Sequence, residues 1–161
     1  MTAKILVSAC LLGDRVRYDG ADNSVSNDWL QRWKEEGRLV PVCPEVSGGL
    51  PIPRPPSEIQ GGNGEDVLSQ QASIVDIHGR DVTREFLVGA EQALATAQKY
   101  GCRFALLAAR SPSCGNEQIY DGTFSGALIP GAGATAALLK QNGIQVFNQA
   151  QIVALAEQLK D

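Results

Sequence analysis

Short apolar runs alternate with helix-patterned segments along almost the whole chain, and this alternation restricts the fold more than any other feature. "KILVSA" (Lys4 to Ala9), "RLVPV" (Arg38 to Val42), the first part of "ASIVDIHGRDVT" (72–83), "CRFALLAA" (Cys102 to Ala109) and "IQVF" (Ile144 to Phe147) read as strands. They are short, apolar and contain β-branched residues. Between them, "SVSNDWLQRWKEEG" (24–37) predicts a helix capped by Ser26 or Asn27, with Trp29, Leu30 and Trp33 on its apolar face and Gly37 as its stop. "REFLVGAEQALATAQKY" (84–100) predicts a long helix capped by Asp81 or Thr83, with Phe86, Leu87, Ala90, Leu94 and Ala97 on one face. "ATAALLKQNG" (134–143) and "QAQIVALAEQLK" (149–160) predict two more. Strands alternating with helices imply an α/β fold: a mostly parallel, Rossmann-like sheet with helices on both faces. Pro41 costs the second strand a ladder donor, so that strand lies at an edge or ends there.

A length of 161 residues suits a single domain spanning 1–161, and 43% hydrophobic with 20% charged residues is an ordinary globular composition. The apolar run at the N-terminus is too short for a signal peptide, and no run approaches membrane-spanning length. A soluble, cytoplasmic protein with no membrane partner is expected. A net charge of −4 argues against a nucleic-acid polymer as partner, because phosphate binding needs a basic face. A local basic pocket for a small anion stays open.

Two segments break the alternation. "CPEVSGGLPIPRPPSEIQGGNG" (43–64) holds most of the prolines and reads as a stiff loop. "RSPSCGNEQIYDGTFSGALIPGAG" (110–133) reads as a second long loop. "GAGATA" (131–136) follows a loop rather than a strand, so it reads as the start of a helix and only weakly as a phosphate cradle. Both long loops follow strands, and each carries a cysteine. In a parallel sheet, the loops after the strands' C-terminal ends gather on one edge, where ligands bind. Cys10, Cys43 and Cys114 can therefore meet there. Cys102 precedes its strand and reads as a small core residue.

In a reducing compartment these thiols point to metal binding or catalysis rather than disulfides. Structural zinc favours four ligands in close-spaced pairs, and this chain has no C-x-x-C. The lone histidine, His78, sits in a turn. An iron–sulfur cluster normally takes four thiolates; with three, one iron keeps an open position. Spacing alone leaves three unrelated buried thiols as an equal alternative. Glu45 is close to Cys43, but a loop glutamate is also an ordinary partner for Arg54 or Arg110. Ser111 is better placed than Ser113 to face such a centre, although serines beside a proline also shape turns. Pro112 reads as a stiffener and Gly115 as room for a bulky group. Arg17 or Asp19 of "RYDG" could touch a ligand, and "GGLPIPRPP" could form a wall or lid. Tyr120 and Phe124 could stack on a flat ring, but read more naturally as core beneath the loop.

Taken together, "KILVSACLLGDRVRYDG", "VPVCPEVSGGLPIPRPPSEI", "GRDVT", "ARSPSCG" and "IYDGTFSG" resemble, in order, the motifs of the thiouracil desulfidase family, from Lys4 to about Phe147. The resemblance implies a [4Fe–4S] cluster held by three cysteines, which match Cys10, Cys43 and Cys114. One iron would lack a protein ligand and accept the substrate's sulfur. It further implies that Glu45 of "CPE" and Ser111 of "SPSCG" take part in catalysis. The implied reaction is non-redox: a small thiolated pyrimidine and water give the pyrimidine and hydrogen sulfide. Family members often carry lysine where this chain has Ala108, which bears on substrate preference. Two other functions use the same residues. One is a zinc hydrolase or deaminase-like enzyme with the three cysteines as ligands and Glu45 as acid/base. The other is a non-catalytic iron–sulfur module that carries a sulfur species.

Overall fold

The computed structural model describes residues 3–22 and 24–159. In chain order its elements are β1 (Ile5–Ser8), α1 (Asp28–Glu35), β2 (Leu39–Val42), α2 (Pro44–Ser47), β3 (Ser57–Gln60), α3 (Gly64–Leu68) and β4 (Ser73–Asp76). They continue with α4 (Thr83–Lys99), β5 (Phe104–Leu107), β6 (Gln118–Tyr120), β7 (Leu128–Pro130), α5 (Ala134–Gln141), β8 (Gln145–Asn148) and α6 (Ile152–Gln158).

β2, β1, β5 and β8 form a four-stranded sheet in that order, and every pairing is parallel. Strand periodicity sends successive side chains to opposite faces. Ile5, Val7, Phe104 and Leu106 meet Leu30 and Trp33 of α1 and Ile152, Leu155 and Ala156 of α6. Leu6, Ala105 and Leu107 meet Ala93 and Ala97 of α4 and Ala136, Ala137 and Leu139 of α5. β1 and β5 are buried on both faces, which is why their sequences are continuous apolar runs. The expected α/β fold with helices on both faces is observed. β2 pairs only with β1, so Pro41 sits on an edge strand where its missing N–H costs nothing. Cys102 is buried in the core beneath α4 and α5. No helix among the described residues is long and apolar enough to cross a membrane.

Several local expectations change. Of the two candidates, Asn27 caps α1: its Oδ1 accepts from the N–H groups of Trp29 (2.9 Å) and Leu30 (3.3 Å). Neither Asp81 nor Thr83 occupies the cap position of α4, which falls to Val82. Instead Asp81 accepts from the Thr83 N–H at 2.9 Å, and the Thr83 hydroxyl accepts from the Ile74 N–H at 2.9 Å, tying the helix start to β4. β4 does not join the parallel sheet; it pairs antiparallel with β3. The 43–64 segment is not all loop. Pro44 at the first helical position opens α2, a place where its missing N–H is harmless, and β3 follows. The 110–133 segment contains the β6–β7 hairpin.

α2 crosses α4 backbone against backbone. A Cβ on Gly89 would stand 1.9 Å from the Pro44 carbonyl oxygen, and one on Gly48 would stand 1.9 Å from that of Glu85. This crossing fixes α2, whose cap is Cys43 and whose first turn carries Glu45. Gly89→Ala is therefore expected to destabilise the protein by about 1–3 kcal/mol through overpacking. Glu91→Ala, on the exposed side of the same helix, should change stability by less than about 0.5 kcal/mol. Urea unfolding of the two variants beside the parent chain measures both.

Candidate active site

The C-terminal ends of β1, β2 and β5 open onto one cavity of about 480 Å³. Cys10 lies just past β1 in a short 3-10 turn that Gly13 closes, with Gly13 at φ +99°. Cys43 lies just past β2 at the cap of α2, and Cys114 follows β5 in the Arg110–Gly115 loop. All three cysteines line the cavity; Cys102 does not. All four are unpaired thiols.

The three sulfurs sit in each other's electrostatic field. Burial pushes the Cys10 thiol up to about 11, and the adjacent Cys43 adds to the rise. Burial also raises Cys43, against the N–H groups of Val46 and Glu45 that point at its sulfur. Burial raises Cys114, with Glu45, Cys10 and Cys43 adding to the effect and the Ser8 hydroxyl opposing it. The first turn of α2 aims these amides at the Cys43 sulfur. Three soft donors around one cavity, two directly after β1 and β2 and one in the loop after β5, are a donor set that fits an iron–sulfur cluster. Among the described residues, no group of three or more His, Cys, Asp or Glu side chains is drawn together tightly enough to hold a single metal ion.

Glu45 faces the same cavity and is held at both oxygens. Arg54 Nε donates to Oε1 at 3.1 Å, and Ser111 Oγ donates to Oε2 at 3.3 Å. Arg54 is 8% exposed and spends its other donors on the carbonyls of Pro51 (3.1 Å) and Val16 (2.9 Å). Its own N–H donates to the Tyr18 carbonyl at 2.6 Å. The partnership of Glu45 with Arg54 and its position at the site are thus compatible: the guanidinium pins the carboxylate at the cavity wall.

Ser111 Oγ accepts the N–H groups of Ser113 (2.9 Å) and Cys114 (3.1 Å). With its lone pairs occupied, its proton is free to point at Glu45. Ser113 turns away: it is fully buried and shares a 2.7 Å hydrogen bond with the Thr135 hydroxyl. Ser111 lines the cavity and Ser113 does not.

"GAGATA" is a helix start and not a phosphate cradle. Its amides are consumed by the neighbouring loop: Gly133 donates to the Gly115 carbonyl, Ala134 to Pro112, and both Thr135 and Ala136 to Ser113, at 2.8–3.1 Å. Gly115 has a different role from the one expected. A Cβ there would meet the carbonyl oxygens of Ser111 and Gln118, each at 2.9 Å, so the glycine admits backbone rather than a bulky group. Tyr120 and Phe124, expected as core, are half-buried and line the cavity. Arg17 lines it too, whereas Asp19 closes a turn by accepting from the Ala21 N–H at 2.9 Å. Of "GGLPIPRPP", Arg54 and Pro56 reach the cavity. Ala108 also lines it. Sequence reasoning missed Ser8, Glu58 and Gln149 as lining residues. No local motif marks them.

The fold and site are those of an α/β enzyme with a strand-edge cavity that carries three thiols and a clamped carboxylate. Residues 5–151 match the family model for 2-thiouracil desulfurase, and the chain belongs to that family. It is similar to an uncharacterised Bacillus subtilis (strain 168) protein, YbbK, with 45% identity over 148 residues, covering 92% of this chain and 97% of that one. It is also similar to the solved structure of TudS, a [4Fe-4S]-dependent thiouracil desulfidase, with 49% identity and a TM-score of 0.89 over 98% of both chains.

Removing Arg54 would leave the Glu45 carboxylate without its cation and two carbonyls without their donor. Arg54→Ala is expected to cost about 3 kcal/mol in chemical denaturation, the scale of a broken buried ion pair. Arg54→Lys should recover only part, because an ammonium cannot reproduce the planar fork.

Proposed function

We propose that this protein removes sulfur from a small thiolated pyrimidine such as thiouracil, with water as co-substrate and hydrogen sulfide and the pyrimidine as products. The observation that carries this reading is the meeting of Cys10, Cys43 and Cys114 with the Glu45–Ser111 pair around one cavity. The three cysteines would hold a [4Fe–4S] cluster and leave one iron without a protein ligand. When bound, that group supplies a soft Lewis acid for the thione sulfur, drawing electron density from the adjacent ring carbon.

The remaining chemistry belongs to the chain. Glu45 takes the proton of the water that attacks the ring carbon, a role for a positioned carboxylate. Arg54 keeps Glu45 in place at Oε1, leaving the side of Oε2 toward the cavity for proton transfer. Ser111, whose acceptor positions are filled by backbone N–H groups, donates its hydroxyl proton toward Oε2 and orients Glu45, which itself passes the proton it has taken to the departing sulfur. The carbon–sulfur bond breaks as the carbon–oxygen bond forms. The two protons of water end on sulfur, so no electron is gained or lost overall. The cavity has the size of an ordinary small-molecule site. Ala108 at its wall supplies no cation, which favours a substrate that asks for none there. A cytoplasmic location, where the thiols stay reduced, belongs to the same proposal.

Anaerobic purification, iron and sulfide analysis and a thiouracil assay on one sample test this directly. The expected result is a brown protein with about four irons and four sulfides per chain, releasing sulfide with turnover. Colourless, zinc-containing protein would overturn the cluster, and ligand binding without sulfide release would reduce the protein to a sulfur-binding module. Alanine at Cys10, Cys43 or Cys114 should abolish iron retention, while Cys102→Ser should keep it; equal loss in Cys102→Ser would sink the ligand assignment. Glu45→Gln should retain iron and lose about 10²–10⁴ in turnover. Full activity in that variant removes Glu45 from the mechanism.

A further inference from the structure

The cysteines form one side of the cavity, and the β6–β7 hairpin turn forms another. That turn is held by β3. Glu58 is 8% exposed, and its Oε1 accepts the N–H groups of Gly122 (2.9 Å) and Phe124 (3.1 Å). Gln60 Nε2 donates to the Gly122 carbonyl at 3.0 Å. A Cβ on Gly122 would stand 2.6 Å from the Ile59 carbonyl oxygen, so the turn lies directly on the strand's backbone. Glu58 forms no ion pair with any described residue. A nearly buried carboxylate without a cation is costly unless it accepts hydrogen bonds, and these two backbone donors supply them.

The turn closes without needing an aromatic residue. Asp121 Oδ1 accepts the Thr123 N–H at 3.0 Å and its hydroxyl at 2.6 Å, and the Asp121 N–H donates to the Ala127 carbonyl at 3.0 Å. Yet Phe124 stands within it at φ +57°, a region that bulky residues rarely occupy and that persists only where surroundings impose it. The ring belongs to none of the apolar core clusters. It lines the cavity beside Tyr120 and Glu58. A strained backbone, an atypical residue and a buried carboxylate thus converge on placing one flat apolar ring against the cavity.

We propose that Phe124 is the stacking wall for the substrate's heterocyclic ring and that Glu58 is a positioning residue that holds Phe124 in place through the turn. This rests on the function proposed above. It assigns ring recognition to the hairpin and separates it from the cysteine side, where the sulfur is handled. The ligand class it selects is a flat, uncharged heterocycle.

The test uses cluster-loaded protein, with thiouracil kinetics, iron content and calorimetric binding of uracil measured for each variant. Phe124→Leu is expected to raise the KM for thiouracil and the Kd for uracil about tenfold, the scale of a lost stacking contact. Phe124→Tyr should stay near the parent. Glu58→Ala should show the same rise with unchanged iron, while Glu58→Gln, which keeps an acceptor oxygen, should recover most of it. The double variant E58A/F124L should be no worse than F124L alone, because Glu58 acts through Phe124. Unchanged KM and Kd in Phe124→Leu would overturn the proposal, and so would additive losses in the double variant. If Glu58→Ala does not fold, Phe124→Leu still decides. Parent protein that binds uracil but releases no sulfide would defeat the desulfidation reading while leaving ring recognition standing. Parent protein that binds neither ligand defeats both.

Discussion

The first four amides of α5, from Gly133 to Ala136, donate to the carbonyls of Pro112, Ser113 and Gly115, and the geometry of the site follows from that contact. A helix start leaves N–H groups without intrahelical partners, and here the loop supplies them all. Gly133 makes the approach possible, since a Cβ there would stand 2.6 Å from the Pro112 and Ser113 backbone. The buried hydrogen bond between Ser113 and Thr135 fastens the same two segments from the side. With its carbonyls turned toward α5, the loop turns the N–H groups of Ser113 and Cys114 toward Ser111 Oγ. Ser111 is left with one proton to give, and Glu45 lies in its path. A backbone docking contact thereby sets the position of a thiol and the direction of a hydroxyl.

Glu45 reaches its place by an independent route. The Gly48 and Gly89 crossing brings α2 against α4, and α2 begins at Cys43, so the carboxylate and the thiol move as one unit. Arg54 then joins this unit to the loop after β1 by bonding Glu45 and the Val16 carbonyl together. Burying an arginine is costly, and three acceptors plus a carboxylate charge offset that cost. Beyond the shared α4–α5 core, the two routes meet at the Ser111–Glu45 hydrogen bond, so that bond reports whether both halves of the site are correctly placed.

The parallel sheet was legible because β1 and β5 are buried on both faces and read as unbroken apolar runs. The cysteine triad followed, since parallel topology alone sends the residues after three strands to one edge. Ser111 was legible from its spacing to Cys114, and the structure turns Ser113 into the core as that spacing suggested. Elsewhere the local pattern failed for physical reasons. β6 and β7 are three residues each and half exposed, too short for any periodicity to register. Tyr120 and Phe124 looked like core because an aromatic residue in a loop carries no indication of which side it faces. Gly115 resembled space for a ligand, but the atoms that need the space are carbonyls of its own loop. Glu58 had no signal at all, because its partners lie 64 and 66 residues further along the chain.

The two walls of the cavity differ in how they are built. Cys10 and Cys43 stand directly after strands of the main sheet, and Cys114 stands in a loop docked on the start of α5, so moving any of them disturbs the sheet or its helix layer. The hairpin side stands on two small antiparallel pairs that share a core of their own through Ile59, Ile74 and Ile119, and its turn is tied to β3 by side-chain bonds from Glu58 and Gln60. Changes in the turn itself leave both cores in place, whereas changes around Cys10 and Cys43 reach into the main sheet. On the proposed function, the sulfur-handling side is constrained by the fold, and the ring-binding side is free to vary. Substrate preference among chains of this architecture should then follow the β6–β7 turn and its β3 anchor more closely than the sequence around the cysteines.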